Sequence, residues 1–67
     1  MHVTINGERR QLPPDTTVAR VVELLDRTDG RGVAVAVDAR VVPRSAWTTT
    51  RLTDGASVEV LGAIQGG

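Results

Sequence analysis

Only one stretch of this chain carries a helical period. Val18, Val21, Val22 and Leu25 fall at i, i+3, i+4 and i+7, one apolar stripe on a helix expected over about 17–28. Asp15-Thr16-Thr17 ahead of it supplies candidate N-caps, whose oxygens accept from the unpaired amides of a first turn. Asp29-Gly30-Arg31-Gly32 ends it. Glu23 and Arg27, at i and i+4, add a few tenths of a kcal/mol on the solvent side. Three valines lower the intrinsic helix preference, so packing must hold this helix. No second helical stripe exists to pack on it. The other layer has to be a sheet.

The strands read from alternation and turn signals. Val3-Thr4-Ile5 alternates and runs into Asn6-Gly7, the strongest short hairpin signal, because both central residues of a type I′ turn need φ > 0. Strand one is expected over about 2–6 and strand two over about 8–12, with Leu12 inward and Pro13-Pro14 as the stop. Val33-Ala34-Val35-Ala36-Val37 puts three valines on one face, the side a helix would cover, and two alanines on the other. Asp38-Ala39-Arg40 makes a turn, Val41-Val42 a short strand stopped by Pro43, and Val58-Glu59-Val60-Leu61 the last strand after an Asp54-Gly55 turn. Arg44 to Arg51 has no clear period and reads as an irregular connection with a short helical turn, plugged by Trp47. Hairpin, one crossing helix, then short strands is the β-grasp order. The expected class is α+β: a mixed sheet of four to five strands with one main helix on one face. The domain spans 1–61, and 62–67 is expected to leave it as a flexible C-terminal Gly-Gly tail.

Composition removes whole classes of function. Sixty-seven residues give one thin-cored domain, built largely from eleven valines, five leucines and two isoleucines around the single aromatic Trp47. There is no cysteine, hence no thiolate nucleophile or cysteine zinc site. Eight acidic residues balance eight arginines, so no net field draws the chain to nucleic acid or anionic lipid. No run approaches the roughly 20 apolar residues of a membrane span, and Met1-His2-Val3-Thr4 lacks a signal-peptide pattern. A soluble, cytoplasmic protein is expected.

Inside the domain no catalytic or metal-binding residue stands out. His2 is the single histidine and reads as solvated or partly packed rather than as a base or ligand. Ser45 and Ser57 have no histidine near them in sequence, Asp26 and Asp29 suit a solvated helix end, and Arg9-Arg10 a solvated strand edge. No phosphate-loop or dinucleotide pattern occurs. The chemistry left is at the chain end, Ile64-Gln65-Gly66-Gly67. A carboxylate becomes an electrophile once an adenylating enzyme joins it to AMP. Glycine lacks Cβ, so Gly66 and Gly67 can pass a narrow channel and leave the terminal carbonyl open to attack. Six extended residues reach about 20 Å, enough to enter a deep site while the body docks outside. Gly67 is the candidate for modification, with Gly66, Gln65 and Ile64 as its arm and Ile64 a candidate to fill a pocket at the channel entrance. For docking, Ala34, Ala36 and Leu61 give a flat, low-relief sheet face opposite the helix. Trp47 reads as a packing plug more readily than as a partner contact. Arg44 either supports its loop or meets an acidic patch on a partner.

The segment Val41-Val42-Pro43-Arg44-Ser45-Ala46-Trp47 resembles the V-P-R-x-x-W stretch of the ThiS family, the sulfur carriers of thiamine biosynthesis, within the ubiquitin-like β-grasp proteins. Asn6-Gly7-Glu8, Thr17-Val18, Leu24-Leu25, Leu52-Thr53-Asp54-Gly55 and terminal Gly66-Gly67 are similar as well, over essentially the whole chain. Asp38, where the family commonly has asparagine, and Ala56, where an acid often follows Asp-Gly, depart from it. The resemblance implies a carrier, not an enzyme, with no bound cofactor. A ubiquitin-activating-like adenylyltransferase of ThiF type would use Mg-ATP to adenylate Gly67. Persulfide sulfur, drawn through a cysteine desulfurase or another donor, would make a thiocarboxylate, and a thiazole synthase of ThiG type would receive that sulfur.

Other readings share parts of this pattern. A molybdopterin-synthase-type small subunit or another thiocarboxylate carrier would use the same end with a different acceptor. A ubiquitin-like modifier would join it to amines. The chain has no lysine, which disfavours self-linked polymers and leaves other proteins' lysines open.

Overall fold

The computed structural model describes residues 1–25 and 32–62. Five strands and one helix follow in the order β1 (His2–Ile5), β2 (Glu8–Gln11), α1 (Val18–Leu24), β3 (Val33–Val37), β4 (Arg40–Val42) and β5 (Ser57–Gly62), with a 3₁₀ turn at Arg44–Ala46. The sheet order is β2-β1-β5-β3-β4. β5 runs parallel to β1 and antiparallel to β3, and both hairpins are antiparallel. This is the expected mixed β-grasp sheet, with the last strand at its centre.

Turn chemistry sets the hairpins. Asn6 and Gly7 have φ of 52° and 84°, the left-handed pair a type I′ turn needs. Asp38 and Ala39 make the second such turn, with φ of 50° and 68°. Asparagine and aspartate visit this region more readily than other non-glycine residues, which accounts for Asp38 standing where the related pattern has asparagine. Ala39 has no such compensation.

The core lies between α1 and one sheet face. Val3, Ile5, Val35, Val58 and Val60 from the sheet meet Val18, Val21 and Val22, with Leu12, Trp47, Leu52 and Ala56 closing the ends. Ala56, the other departure, is buried in this cluster, where an acidic side chain would be desolvated.

The helix is shorter than expected. Its ladder ends at Leu24, with Leu25 as C-cap, whereas the period extends it to about 28. Leu25, the last residue of the apolar stripe, packs against the core as the C-cap, while Leu24, off the stripe, is 41% exposed. Asp26, Arg27 and Thr28 add no apolar residue to extend a valine-rich helix. The expected Glu23–Arg27 pair involves a residue outside the described ones, as do Asp26 and Asp29. Glu23 instead meets Arg20 at 3.0 Å.

The helix start depends on the irregular segment. Thr17 is the N-cap, accepting from the Arg20 amide. The Val18 and Ala19 amides donate to the carbonyls of Thr50 and Trp47, so three of the orphan donors of the first turn have partners. Trp47 anchors that segment: it is 6% exposed, and its Nε1–H donates to the Val42 carbonyl at 2.9 Å. The indole is the expected packing plug.

Two outcomes follow. Trp47→Ala should cost about 3–5 kcal/mol, measured by chemical denaturation, because the indole's volume and its bond to β4 vanish together. Ala39→Gly should stabilise by about 0.5–1 kcal/mol, since relief of left-handed strain exceeds the added freedom of the unfolded chain.

Candidate functional site

The sheet face opposite α1 is uncovered among the described residues, and its composition follows from strand alternation. Val3, Ile5, Val35, Val58 and Val60 point to the helix, so His2, Thr4, Ala34, Ala36, Ser57, Glu59 and Leu61 point away. The register brings the expected docking residues together. Ala34 lies opposite Leu61 and Ala36 opposite Glu59. Ala34 is exposed, Ala36 half-buried, and Leu61 64% exposed.

One member of this patch is missing from the sequence reading. Val41 lies opposite Ala36 on β4 and is 78% exposed, the most exposed of the large apolar side chains described. The signal was present in Val41-Val42: adjacent strand residues face opposite ways, so one of the two valines had to look outward. Val42 is the inner one, half-buried against the core.

β5 carries Leu61 and leads into the chain end. Gly62, expected to begin the tail, is still in β5, opposite Val33. Ile64, Gln65, Gly66 and Gly67 lie outside the described residues.

Side chains at three turns tie β5 in place. The Asn6 side-chain amide donates from Nδ2 to the Val60 carbonyl at 3.2 Å, and its Oδ1 accepts from the Val60 amide at 2.8 Å. Asn6 thus extends the β1–β5 ladder by an amide that imitates backbone. Asp38 Oδ1 accepts from the Ser57 amide at 2.9 Å while the Asp38 amide donates to the Ser57 carbonyl. Asp54 Oδ1 accepts from the His2 amide at 2.7 Å.

Groups that could do chemistry do not converge. Among the described residues no cluster of three or more histidine, cysteine or acidic side chains could hold a metal ion. His2 is exposed on the open face, and the 110 Å³ cavity it shares with Val3, Thr4, Arg9 and Gly55 is well below the roughly 300 Å³ at which small-molecule pockets begin. Arg10 pairs with Glu8 at 3.6 Å on the other side of β2. Arg44 is exposed at the start of the 3₁₀ turn. No described helix is long and apolar enough to cross a membrane.

A small body whose open face leads along β5 to a glycine-ended chain matches one known family. The pattern defining the ThiS family covers residues 3–67. The chain belongs to the ThiS family. The sulfur carrier protein ThiS of Escherichia coli (strain K12) is 30% identical over 67 residues, covering the whole of both chains. A thiazole synthase of Paramagnetospirillum magneticum is 34% identical over 67 residues, which is all of this chain and 20% of that protein. The crystal structure of the thiamine biosynthesis protein ThiS from Geobacter metallireducens has a TM-score of 0.82 at 28% identity, covering all of both chains. Its solution NMR structure has a TM-score of 0.81 and is covered to 88%. The ThiS fold is therefore the fold of this chain.

Asn6→Gly should lose both bonds to Val60 while keeping the left-handed turn, and cost about 1–2 kcal/mol, with faster hydrogen exchange at the Val60 amide as the local readout. Unchanged stability would mean that the clasp adds nothing to the ladder.

Proposed function

We propose that this chain is a sulfur carrier in the formation of the thiazole of thiamine, acting as a co-substrate and not as a catalyst. The single observation carrying this reading is membership of the ThiS family over nearly the whole chain, down to the terminal Gly66-Gly67. The alternatives with the same end chemistry, a molybdopterin-synthase-type subunit or a protein modifier, have no comparable support.

In this reading residues 1–62 form the docking body and 63–67 the reactive arm. The Gly67 carboxylate attacks the α-phosphorus of ATP in the site of a ubiquitin-activating-like adenylyltransferase, where Mg²⁺ offsets phosphate charge and pyrophosphate leaves. A persulfide, supplied through a cysteine desulfurase, attacks the acyl-adenylate carbonyl through its terminal sulfur and AMP leaves. A thiol then attacks the inner sulfur of the resulting acyl disulfide. The S–S bond breaks, a disulfide forms, and the outer sulfur stays on Gly67 as a thiocarboxylate. The persulfide's attack needs an unshielded carbonyl, which the absence of a side chain on Gly67 supplies.

Thiazole synthase is the proposed acceptor. Support comes from the relative of that name in which a segment similar to this whole chain forms one fifth of a single polypeptide. Joining a carrier to its acceptor raises their effective concentration without any new contact. For docking we assign the apolar patch of Ala34, Ala36, Val41 and Leu61. Its Leu61 lies on β5, the strand that leads to the arm, so one binding event seats the body and aims the end. A cytoplasmic location, beside its ATP-using partner, is part of this proposal.

Incubation with the adenylyltransferase, Mg-ATP and a persulfide source should exchange one oxygen for sulfur, read by intact mass. Deletion of Gly67 should abolish the exchange and leave the melting temperature unchanged. A truncated protein that still gains sulfur would overturn the assignment of Gly67.

A further inference from the structure

The open face is divided. Its apolar half, Ala34, Ala36, Val41 and Leu61, lies on β5, β3 and β4. At the diagonally opposite corner the register sets Arg9 beside Thr4 and Gln11 beside His2. There His2, Val3, Thr4, Arg9 and Gly55 line the 110 Å³ dimple. Arg9 is exposed and forms no ion pair with another described residue, whereas Arg10 and Arg20 each have a carboxylate partner. Of the acids near this corner, Asp54 sits beside the dimple with its Oδ1 engaged by the His2 amide, and Glu59 is on β5, beyond the intervening β1, opposite Ala36.

The apolar half alone falls far short of the about 800 Å² per partner of a standard interface. A partner seated on it must use the rest of the same face. From Leu61 to Arg9 is about 16 Å, four residues along the strand direction and two strands across. The geometry points to an acidic anchor: the adenylyltransferase presents a carboxylate side chain to the Arg9 dimple, about 16 Å from where it covers Leu61. This rests on the carrier reading above and adds to it the charge of the partner's surface and the orientation of docking. One flat apolar patch does not fix rotation about its own normal. A charged contact at the far corner does, and it also speeds encounter without making release slow, which suits a carrier that must leave after each loading. Guanidinium suits the role, since its planar donors grip a carboxylate in two places.

The test is steady-state AMP formation by the adenylyltransferase of the same organism, with carrier concentration and ionic strength varied. Arg9→Glu should raise KM for the carrier about ten-fold or more at low salt, leave kcat unchanged and flatten the salt dependence. Arg9→Lys should keep the salt dependence with a smaller rise in KM. Val41→Asp should raise KM at every salt concentration, because its contact is apolar. Arg9 is an exposed strand residue, and a thermal melt confirms that each variant is folded. An Arg9→Glu protein with unchanged KM and unchanged salt dependence, while Val41→Asp is impaired, overturns the acidic anchor and leaves the carrier reading standing. A wild-type protein that supports no AMP formation overturns both.

Discussion

The structure depends on the insertion of β5 between β1 and β3. The two hairpins do not neighbour each other in the sheet; each reaches the other only through this strand. Val58 and Val60, 1% and 5% exposed, are the side chains that β5 adds to the core. The parallel pairing with β1 has a named register of two residue pairs, Thr4 with Ser57 and Ile5 with Val58. The Asn6 amide lengthens it by bonding both backbone groups of Val60. A short parallel contact gives little by itself, so the side-chain clasps at its ends carry weight beyond their number.

That arrangement also explains how so thin a core supports an uncovered sheet face. One helix of seven residues covers one side of the sheet, and its first turn is completed by carbonyls of the segment that Trp47 holds down. With the helix, the indole and the central strand locked together on one side, the other side is free to be flat and partly apolar. Glu59 in its middle and Arg9 at its corner keep it from being a uniform sticky surface.

Much of this was legible in the residues because period and turn chemistry are local. Asn6-Gly7 announced its hairpin, the valine–alanine alternation of β3 announced which face is covered, and the lone indole announced a plug. The misses are non-local. That Thr50 and Trp47 complete the helix start could not be read, because a backbone carbonyl leaves no trace in residue identity. Asn6 was legible as a turn residue and not as a clasp, since its partner Val60 is far away in sequence. The helix ran shorter than the expected 17–28 because its apolar stripe ends at Leu25, and a period says which face is apolar and not where the ladder stops. Of the proposed site, Ala34, Ala36 and Leu61 followed from alternation. Val41 needed the register, which sets it beside Ala36.

The central place of β5 has a mechanical meaning. Under the proposed carrier role, an enzyme that grips the end of this chain pulls on β5, a strand flanked on both sides. Its ladder bonds to β1 and β3 lie across the strand axis, so the load falls on both rows at once, in shear, and they do not unzip singly. The body can therefore bear a pull along β5 without coming apart.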